Sequence, residues 1–259
     1  MMDLINTIQH ADCFDLMARL EPQSIDLIAT DMPYGTTACS WDVRVDFEQW
    51  WTAVKRVLKP RGVFLTTASE PFASLLRVSN LDWYRYDWVW EKEQGSNFLD
   101  AWRKPYKVHE NILVFANVLP IYYPQFTPGE PYTNGKRRGT PVYGDFNDKQ
   151  ELKTHGRLPI SIMKFNRDAG LHPTQKPVAL YEYLIKTYTQ PGDLVLDPFC
   201  GSGTTGMAAL KTGRRYILGD SSLEYVEAAR LRLQNSDPYQ DSDKGNGMMQ
   251  LSLFGQGES

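Results

Sequence analysis

Two short stretches, far apart in the chain, each join an apolar run to a loop of polar residues and glycine. In the first, the run Ile25–Thr30 leads into Asp-Met-Pro-Tyr-Gly at residues 31–35. In the second, Leu194–Leu196 leads into Asp-Pro-Phe-Cys-Gly-Ser-Gly-Thr-Thr at residues 197–205. Each pattern is typical of a buried strand that ends in a loop. Because open α/β sheets bind ligands at the carboxyl ends of their strands, we expect both loops to serve one site.

The pattern on either side of these loops predicts an α/β fold. The chain has 259 residues, which suits one α/β domain with a modest insertion. A helix is predicted at residues 47–58, and Lys59-Pro60-Arg61-Gly62 should end it. Further strands are predicted at residues 62–67, 86–90, 111–115 and 215–220, and further helices from Pro177, at 204–212 and at 223–233.

An irregular segment with a local positive charge interrupts this alternation. Residues 120–144 are rich in proline, glycine and tyrosine and contain Lys136, Arg137 and Arg138. Residues 103–170 hold 11 Lys and Arg against 6 Asp and Glu, whereas the rest of the chain holds 17 against 25. A positive face is what contacts with nucleic-acid phosphates require, so the net charge of −3 is no argument against DNA. A solvated loop with incidental lysines is the alternative interpretation.

Other features exclude several classes of protein. The three cysteines are scattered and form no CxxC pair, which favours a reducing cytoplasm over disulfides or structural zinc. We expect no signal peptide and no membrane partner, because the chain shows neither a basic start nor a membrane-length apolar run. His109-Glu110 does not complete a His-Glu-x-x-His metal motif. Four tryptophans are expected to pack rather than to stack on bases: Trp83, Trp88, Trp90 and Trp102.

The glycine-rich loop predicts a cofactor site. Gly201 and Gly203 allow a tight turn and a close approach of a ligand, and the helix that follows offers free N–H groups. A P-loop is excluded, since Met207-Ala208 replaces the Lys-Ser/Thr pair that a nucleoside triphosphate needs. Asp220 ends the next predicted strand, where an acid commonly accepts hydrogen bonds from ribose hydroxyls.

Together these motifs resemble the β-class DNA amino-methyltransferases, in which the catalytic motif precedes the cofactor motif. Thr36-Thr37, Trp41-Asp42 and His172-Pro-Thr-Gln-Lys-Pro177 extend the resemblance over most of the chain. It implies a Rossmann-like, seven-stranded, mostly parallel sheet with one reversed strand. It also implies a catalytic half at residues 1–115, a target-recognition insert at 116–170, a cofactor-binding half at 171–235 and a disordered tail at 236–259.

The resemblance implies S-adenosylmethionine as the cofactor and assigns residues to it. The acid Asp220 would hold the ribose, and Thr174 and Lys176 would meet the methionine carboxylate. Asp12 and Thr174 have an alternative role as helix caps. The complete cofactor set implied by the resemblance is Asp12, His172, Thr174, Lys176, Asp197, Phe199, Gly201, Ser202, Gly203, Thr204 and Asp220.

The catalytic residues follow from the chemistry of an exocyclic amine, whose lone pair is delocalised into the base. A carboxylate and a backbone carbonyl can accept the two amine hydrogens and aim the lone pair at the methyl group. Asp31 would supply the carboxylate, Met32 or Pro33 the carbonyl, and Tyr34 a stacking surface for a base flipped out of double-stranded DNA.

An aspartate at the first motif position resembles the adenine-N6 enzymes, whereas cytosine-N4 enzymes more often carry Ser-Pro-Pro-Tyr. The cytosine-N4 activity is the first alternative. A protein-glutamine methyltransferase, which would use Asn-Pro-Pro-Tyr, and a non-catalytic DNA-binding relative are the others.

The end of the tail carries an apolar island in a polar context. Gln250-Leu251-Ser252-Leu253-Phe254 resembles the peptide by which bacterial replication proteins dock on the sliding clamp. Leu253 and Phe254 would fill an apolar pocket and Gln250 would add a directed hydrogen bond. The sliding clamp is therefore an expected partner besides DNA, and packing of the tail on the catalytic domain is the alternative.

Overall fold

A computed structural model describes residues 2–35, 45–95, 101–133, 152–153, 156–168 and 175–235. The chain forms two compact units: the first consists of Met1–Tyr123 and Ser161–Ser259, and the second of Pro124–Ile160. The second unit falls within the segment that the sequence predicts as the target-recognition insert. Its role in recognition stays a prediction.

The first unit contains a mixed sheet with helices between its strands. Its strands are β1 (Thr7–His10), β2 (Ile25–Thr30), β3 (Leu58–Ala68), β4 (Tyr84–Glu91), β5 (His109–Phe115), β8 (Ile162–Lys164), β9 (Leu194–Asp197) and β10 (Arg215–Asp220). Its α-helices are α1 (Cys13–Ala18), α2 (Phe47–Val57), α3 (Phe72–Ser79), α4 (Val178–Tyr188), α5 (Thr204–Lys211) and α6 (Leu223–Gln234). The pair β6 (Tyr132–Thr133) and β7 (Leu152–Lys153) belongs to the second unit.

In the described part of the chain, the sheet has eight strands in the order β1-β10-β9-β2-β3-β5-β4-β8. Strand β5 is antiparallel to both of its neighbours, and every other pair is parallel. The predicted Rossmann-like, mostly parallel sheet with one reversed strand is therefore confirmed. It has one strand more than the expected seven because the short β8 pairs with the edge of β4.

Helices cover both faces of the sheet because side chains alternate along each strand. Leu27 and Ala29 of β2 pack in a core with helices α4, α5 and α6, whereas Ile28 packs in a second core with α1, α2 and α3. Strands that are buried on both faces have nearly continuous apolar sequences, as residues 25–30 and 194–196 show. This sandwich of helix, sheet and helix leaves the ends of the strands as the place for a site.

Two local predictions differ from the structure. Strand β3 begins at Leu58, directly after α2, so Lys59-Pro-Arg-Gly62 lies in the strand and not in a separate turn. The backbones of β2 and β3 lie close together at Gly62, since a Cβ on this residue would lie 3.1 Å from the carbonyl oxygen of Ile25. Among the tryptophans, Trp88 and Trp90 are buried as expected, but the expectation is wrong for Trp102, which is fully exposed.

The second unit is small and held by local contacts. Thr127 and Arg157 exchange two backbone hydrogen bonds of 3.0 and 2.8 Å. The guanidinium of Arg157 lies 4.1 Å from the ring centroid of Tyr132, a distance typical of a cation–π contact. Within the described ranges of the whole chain, no helix has both the length and the apolar content that a membrane crossing requires.

Candidate active site

The two motif loops meet because β2 and β9 are neighbours in the sheet. Leu27 pairs with Val195 and Ile28 with Leu196 in parallel register. From this pair the chain proceeds in opposite directions, from β2 to β3 on one side and from β9 to β10 on the other. The crevice at such a switch point is where open α/β sheets bind ligands. Residues 31–35 and 197–203 leave the sheet at this crevice.

Asp31 is the first residue after β2, and three side chains hold its carboxylate. Oδ1 accepts hydrogen bonds from the hydroxyls of Tyr34, at 2.9 Å, and of Thr67 on β3. Oδ2 accepts one from Nζ of Lys176 at 2.7 Å. The side chain of Asp31 still keeps 32% of its surface exposed. Asp31 is thus fixed in position but within reach of a ligand.

Tyr34, whose hydroxyl binds Asp31, is half-buried. The ring stacks on Phe72, with 4.9 Å between centroids and 25° between planes. Burial, with the charges of Asp31 and Glu110, raises the pKa of Tyr34 well above its usual range, so its hydroxyl stays a donor at neutral pH. Phe72 supports the ring from the first turn of α3, a contact that the motif alone did not reveal.

Lys176 joins Asp31 to a second carboxylate that sequence reasoning missed. Its Nζ lies 3.4 Å from Oε2 of Glu110, whose Oε1 accepts a hydrogen bond of 3.1 Å from Lys92. All three side chains are largely buried, with exposures of 11% for Lys176, 14% for Glu110 and 5% for Lys92. Burial lowers the pKa of Lys176, but Asp31 and Glu110 raise it more, so it lies above its usual value. Burial raises the pKa of Glu110, but the charges of Lys176 and Lys92 lower it more, so it lies below its usual value.

Asp197 ends β9 and turns into the protein. Oδ1 accepts hydrogen bonds from the Thr30 hydroxyl at 2.6 Å and the Phe199 N–H at 3.1 Å, and Oδ2 accepts one from the Thr205 hydroxyl at 2.6 Å. Burial raises the pKa of Asp197 to about 7, although these three donors oppose the shift. The carboxylate therefore ties together β2, the motif loop and helix α5.

The glycine turn follows Asp197 as the sequence predicts. Gly201 and Gly203 have φ angles of +47° and +80°, in the left-handed region that favours glycine. A Cβ on Gly203 would lie 3.0 Å from atoms of Ala229 and Leu233, so helix α6 packs directly on the turn. Phe199 is half-buried and packs on Trp50, with 5.8 Å between ring centroids. The turn is thus shaped from both sides before helix α5 begins.

Asp220 lies at the end of β10 and binds the same turn. Its Oδ2 accepts a hydrogen bond of 3.0 Å from the N–H of Gly201, and its Oδ1 one of 2.9 Å from the N–H of Ser222. Burial raises its pKa, against these two bonds and the opposing charge of His10. Each oxygen accepts one of these bonds, which leaves acceptor capacity for a ligand hydroxyl.

Arg232 on α6 also binds the turn and was not predicted. Its Nη1 donates to the carbonyl and hydroxyl oxygens of Ser202, at 3.0 and 3.2 Å, and to the hydroxyl of Thr204 at 3.2 Å. Its other end lies 4.0 Å from Asp168. Asp168 accepts a hydrogen bond from the N–H of Val178 at 2.9 Å, so Arg232 links the turn to the segment that carries Lys176.

The remaining predicted residues divide into two groups. Asp12 is exposed and caps α1, since its Oδ1 accepts a hydrogen bond of 2.7 Å from the N–H of Phe14. It follows β1, whose neighbour in the sheet ends at Asp220. The other predicted residues lie outside the described part of the chain: His172, Thr174, Lys136, Arg137, Arg138, Gln250, Leu251, Leu253 and Phe254.

Comparisons with known proteins agree with this architecture. The family model described as DNA methylase matches residues 25–231. The Type II methyltransferase M2.DpnII of Streptococcus pneumoniae is 30% identical, over 87% of this chain and 88% of its own length. The Type II methyltransferase M2.LlaDCHI of Lactococcus lactis subsp. cremoris is 28% identical, over 89% and 90%.

Solved structures share the fold at lower identity. The crystal structure of an M1.HpyAVI–SAM complex has a TM-score of 0.61 and 24% identity, over 88% of this chain and 98% of that one. The PvuII DNA methyltransferase, described as cytosine-N4-specific, has a TM-score of 0.63 and 18% identity, over 91% and 89%. Enzymes of the matched family take their methyl group from S-adenosylmethionine. The chain therefore belongs to the DNA methylase family and is an S-adenosylmethionine-dependent DNA methyltransferase.

Proposed function

We propose that this enzyme methylates the N6 amine of adenine, presented as a base flipped out of double-stranded DNA. The observation that carries this proposal is the position of Asp31, a partly exposed carboxylate beside the glycine turn at the switch point of the sheet. A carboxylate accepts hydrogen bonds from an amine, as the chemistry of an exocyclic NH₂ group requires.

The residues of the first loop would divide the work at the base. Asp31 accepts one amine hydrogen, and the carbonyl of Met32 or Pro33 accepts the other, which directs the nitrogen lone pair at the methyl group. Tyr34, already stacked on Phe72, offers its ring to the base. The cofactor would supply the methyl group and leave as a neutral thioether, and Asp31 would hold the amine while its surplus proton is released to solvent. Positioning and electrostatics supply the catalysis.

The second loop fits the cofactor, which supplies an electrophilic methyl group on a sulfonium. A Cβ on the left-handed Gly201 would have no heavy atom within 4 Å, so a ligand can lie against the backbone of the turn there. Asp220 has acceptor capacity for ribose hydroxyls. Lys176 has three N–H donors, of which two face Asp31 and Glu110, so the third can meet the methionine carboxylate.

The remaining residues implied by the resemblance stay assigned to the cofactor in this proposal. Asp197 acts by shaping the turn, because its buried carboxylate accepts hydrogen bonds from Thr30, Thr205 and the N–H of Phe199. The others are Asp12, His172, Thr174, Phe199, Ser202 and Thr204.

Cytosine-N4 methylation is the second candidate, since the PvuII enzyme of similar fold is described as specific for that position. The aspartate at position 31 favours adenine. Digestion of DNA methylated by the purified enzyme, followed by mass spectrometry of the nucleosides, distinguishes the two. We expect N6-methyladenine, and N4-methylcytosine as the sole product would contradict the proposal.

The basic residues of the insert would hold the DNA. Lys136, Arg137 and Arg138 lie outside the described residues, so their support comes from charge and composition alone. Replacing all three by alanine should weaken DNA binding and flatten its dependence on salt, because fewer counterions would be released. An unchanged salt slope would remove these residues from the interface.

The tail would add a protein partner in the bacterial cytoplasm. We retain the hypothesis that residues 250–254 dock on the sliding clamp and tether the enzyme to newly replicated DNA. Fluorescence polarisation with purified clamp tests it. We expect the tail peptide to bind and the Leu253→Ala/Phe254→Ala peptide not to bind, and a wild-type peptide that fails to bind would end the hypothesis.

A further inference from the structure

Four charged side chains form a continuous row that runs from the partly exposed Asp31 to three largely buried side chains. Successive distances between their charged atoms are 2.7 Å from Asp31 to Lys176, 3.4 Å from Lys176 to Glu110 and 3.1 Å from Glu110 to Lys92. The row balances two carboxylates with two ammonium groups. Since the charges are close and shielded from water, a change at one end alters the interactions at the other.

The resting arrangement weakens Asp31 as an acceptor for an amine. Its Oδ1 already accepts two hydrogen bonds, from Tyr34 and Thr67, and its Oδ2 faces the ammonium of Lys176. A carboxylate oxygen has room for about two hydrogen bonds, so Oδ2 is where the substrate must bind. The nearby positive charge of Lys176 repels the partly positive amine hydrogens and neutralises the carboxylate that should attract them.

Glu110 offers Lys176 another place to bind. Its Oε2 is buried and lacks a hydrogen-bond partner among the described residues, although Nζ of Lys176 is only 3.4 Å away. Its Oε1 is held by Lys92, so the carboxylate is fixed on its far side. A small rotation at the end of the lysine side chain would complete the bond to Oε2 and lengthen the bond to Asp31.

We propose that Glu110 is a positioning residue that takes Lys176 from Asp31 when the target amine enters, which frees Oδ2 of Asp31 to accept an amine hydrogen. This inference rests on the proposed role of Asp31 as the amine acceptor. Glu110 itself touches neither base nor cofactor. Its contribution lies in the step at which the amine is oriented, and this step affects turnover rather than binding.

Glu110→Gln tests the proposal because it keeps the shape of the side chain and removes its charge. We expect kcat to fall about tenfold, which corresponds to about 1.4 kcal/mol on the barrier. The Kd for S-adenosylhomocysteine and the KM for DNA should change by less than about threefold, since the lost interaction belongs to the transition state. Glu110→Asp, which keeps the charge, should recover part of the lost kcat.

A matched control lies on the neighbouring strand. Glu91 pairs with Lys164 at 3.0 Å, but their side chains are 40% and 77% exposed. Glu91→Gln should therefore leave kcat unchanged. Normal kcat in Glu110→Gln would overturn the proposal, and so would an equal loss in Glu91→Gln, because the effect would then not depend on the contact with Lys176.

Stability must be separated from positioning, since Glu110→Gln leaves Lys92 with a neutral neighbour. If that variant fails to fold, the double variant Lys92→Gln/Glu110→Gln removes both charges of the pair and should show the same selective loss of kcat. A double variant with normal kcat also overturns the proposal. Asp31→Ala separates the two hypotheses: if it keeps its turnover, the proposed function fails, whereas an essential Asp31 with a normal Glu110→Gln refutes only the role of Glu110.

Discussion

Asp31 and Asp197 lie at the carboxyl ends of neighbouring parallel strands, yet they differ in exposure and in whether a charged donor binds them. The side chain of Asp31 is 32% exposed and faces the ammonium of Lys176 at 2.7 Å. Asp197 is 3% exposed and accepts its described hydrogen bonds from two threonine hydroxyls and one backbone N–H. One carboxylate lies beside an ammonium group and two hydroxyl donors where a ligand can reach it, and the other is enclosed by neutral donors alone.

The difference shows how one sheet edge serves two purposes. Neutral hydrogen bonds around Asp197 fix the backbone of the glycine turn, which has to keep its shape when a ligand binds. The charged contact at Asp31 has a second carboxylate close by, since Nζ of Lys176 lies 2.7 Å from Asp31 and 3.4 Å from Glu110. We therefore expect changes at Asp31 to affect turnover and changes at Asp197 to affect stability.

Asp31→Ala should give the largest effect. We expect turnover to fall by about 10³-fold, the upper end of the range for loss of one preorganised electrostatic group. Affinity for S-adenosylhomocysteine should be retained, because the cofactor turn does not depend on this side chain. Steady-state methylation and calorimetry measure the two quantities. Near-normal turnover would show that Asp31 does not take part in the catalytic step, and the proposed difference in role between Asp31 and Asp197 would then be wrong.

Asp197→Ala should act mainly on folding. It leaves the buried hydroxyl of Thr30 without its acceptor and Thr205 with only the carbonyl of Ala29 at 3.3 Å, and we expect a loss of about 1–3 kcal/mol in the free energy of unfolding. Asp193→Ala is the control, because Asp193 precedes the same strand in an exposed turn. Urea denaturation measures both variants. An Asp197 variant as stable as the control would mean that the enclosed carboxylate does not support the turn.

The sequence predicted the two loops better than their surroundings. The apolar runs and the turn residues are local signals, so β2, β9, the glycine turn and the position of Asp220 could all be predicted. Glu110, Lys92 and Arg232 could not, because each reaches the site from an element that only the folded sheet brings close. His109-Glu110 does not form a metal motif, and the informative feature there is the charge of Glu110 at the start of β5.

The short edge strands were also beyond sequence reasoning. The strands β1 and β8 have four and three residues, and such segments carry too little periodicity to predict. Their pairing with β10 and β4 depends on neighbours distant in the chain. Trp102 was misjudged for a related reason: tryptophans are usually buried, but that habit does not apply to one in a connection between strands.

Asp220→Ala tests the cofactor side directly. We expect the affinity for S-adenosylhomocysteine to fall by about 1–3 kcal/mol, because a charged acceptor and the support of Gly201 are lost together. Asp12→Ala is a useful companion, since Asp12 caps α1 from an exposed position. If Asp12 is only a cap, its variant loses stability but keeps its affinity. Calorimetry showing unchanged affinity in Asp220→Ala would exclude Asp220 from the site.

The smallest expected effect is the contribution of Asp197 to the pH dependence of stability. Burial raises its pKa to about 7 from an ordinary value of 3.8, while Thr205, Thr30 and the N–H of Phe199 oppose the shift and Asp220 adds to it. The folded state therefore binds a proton that the unfolded state has released between about pH 4 and pH 7. Stability must fall as the pH rises through this window, and it levels off above it.

Between pH 6 and pH 8 this group should remove about 1 kcal/mol from the free energy of unfolding. Asp197→Asn keeps the shape and cannot titrate, so the wild-type protein should lose stability relative to this variant over that range. Parallel thermal melts at pH 6, 7 and 8 measure the difference. A constant gap between the two proteins would mean that Asp197 does not titrate there.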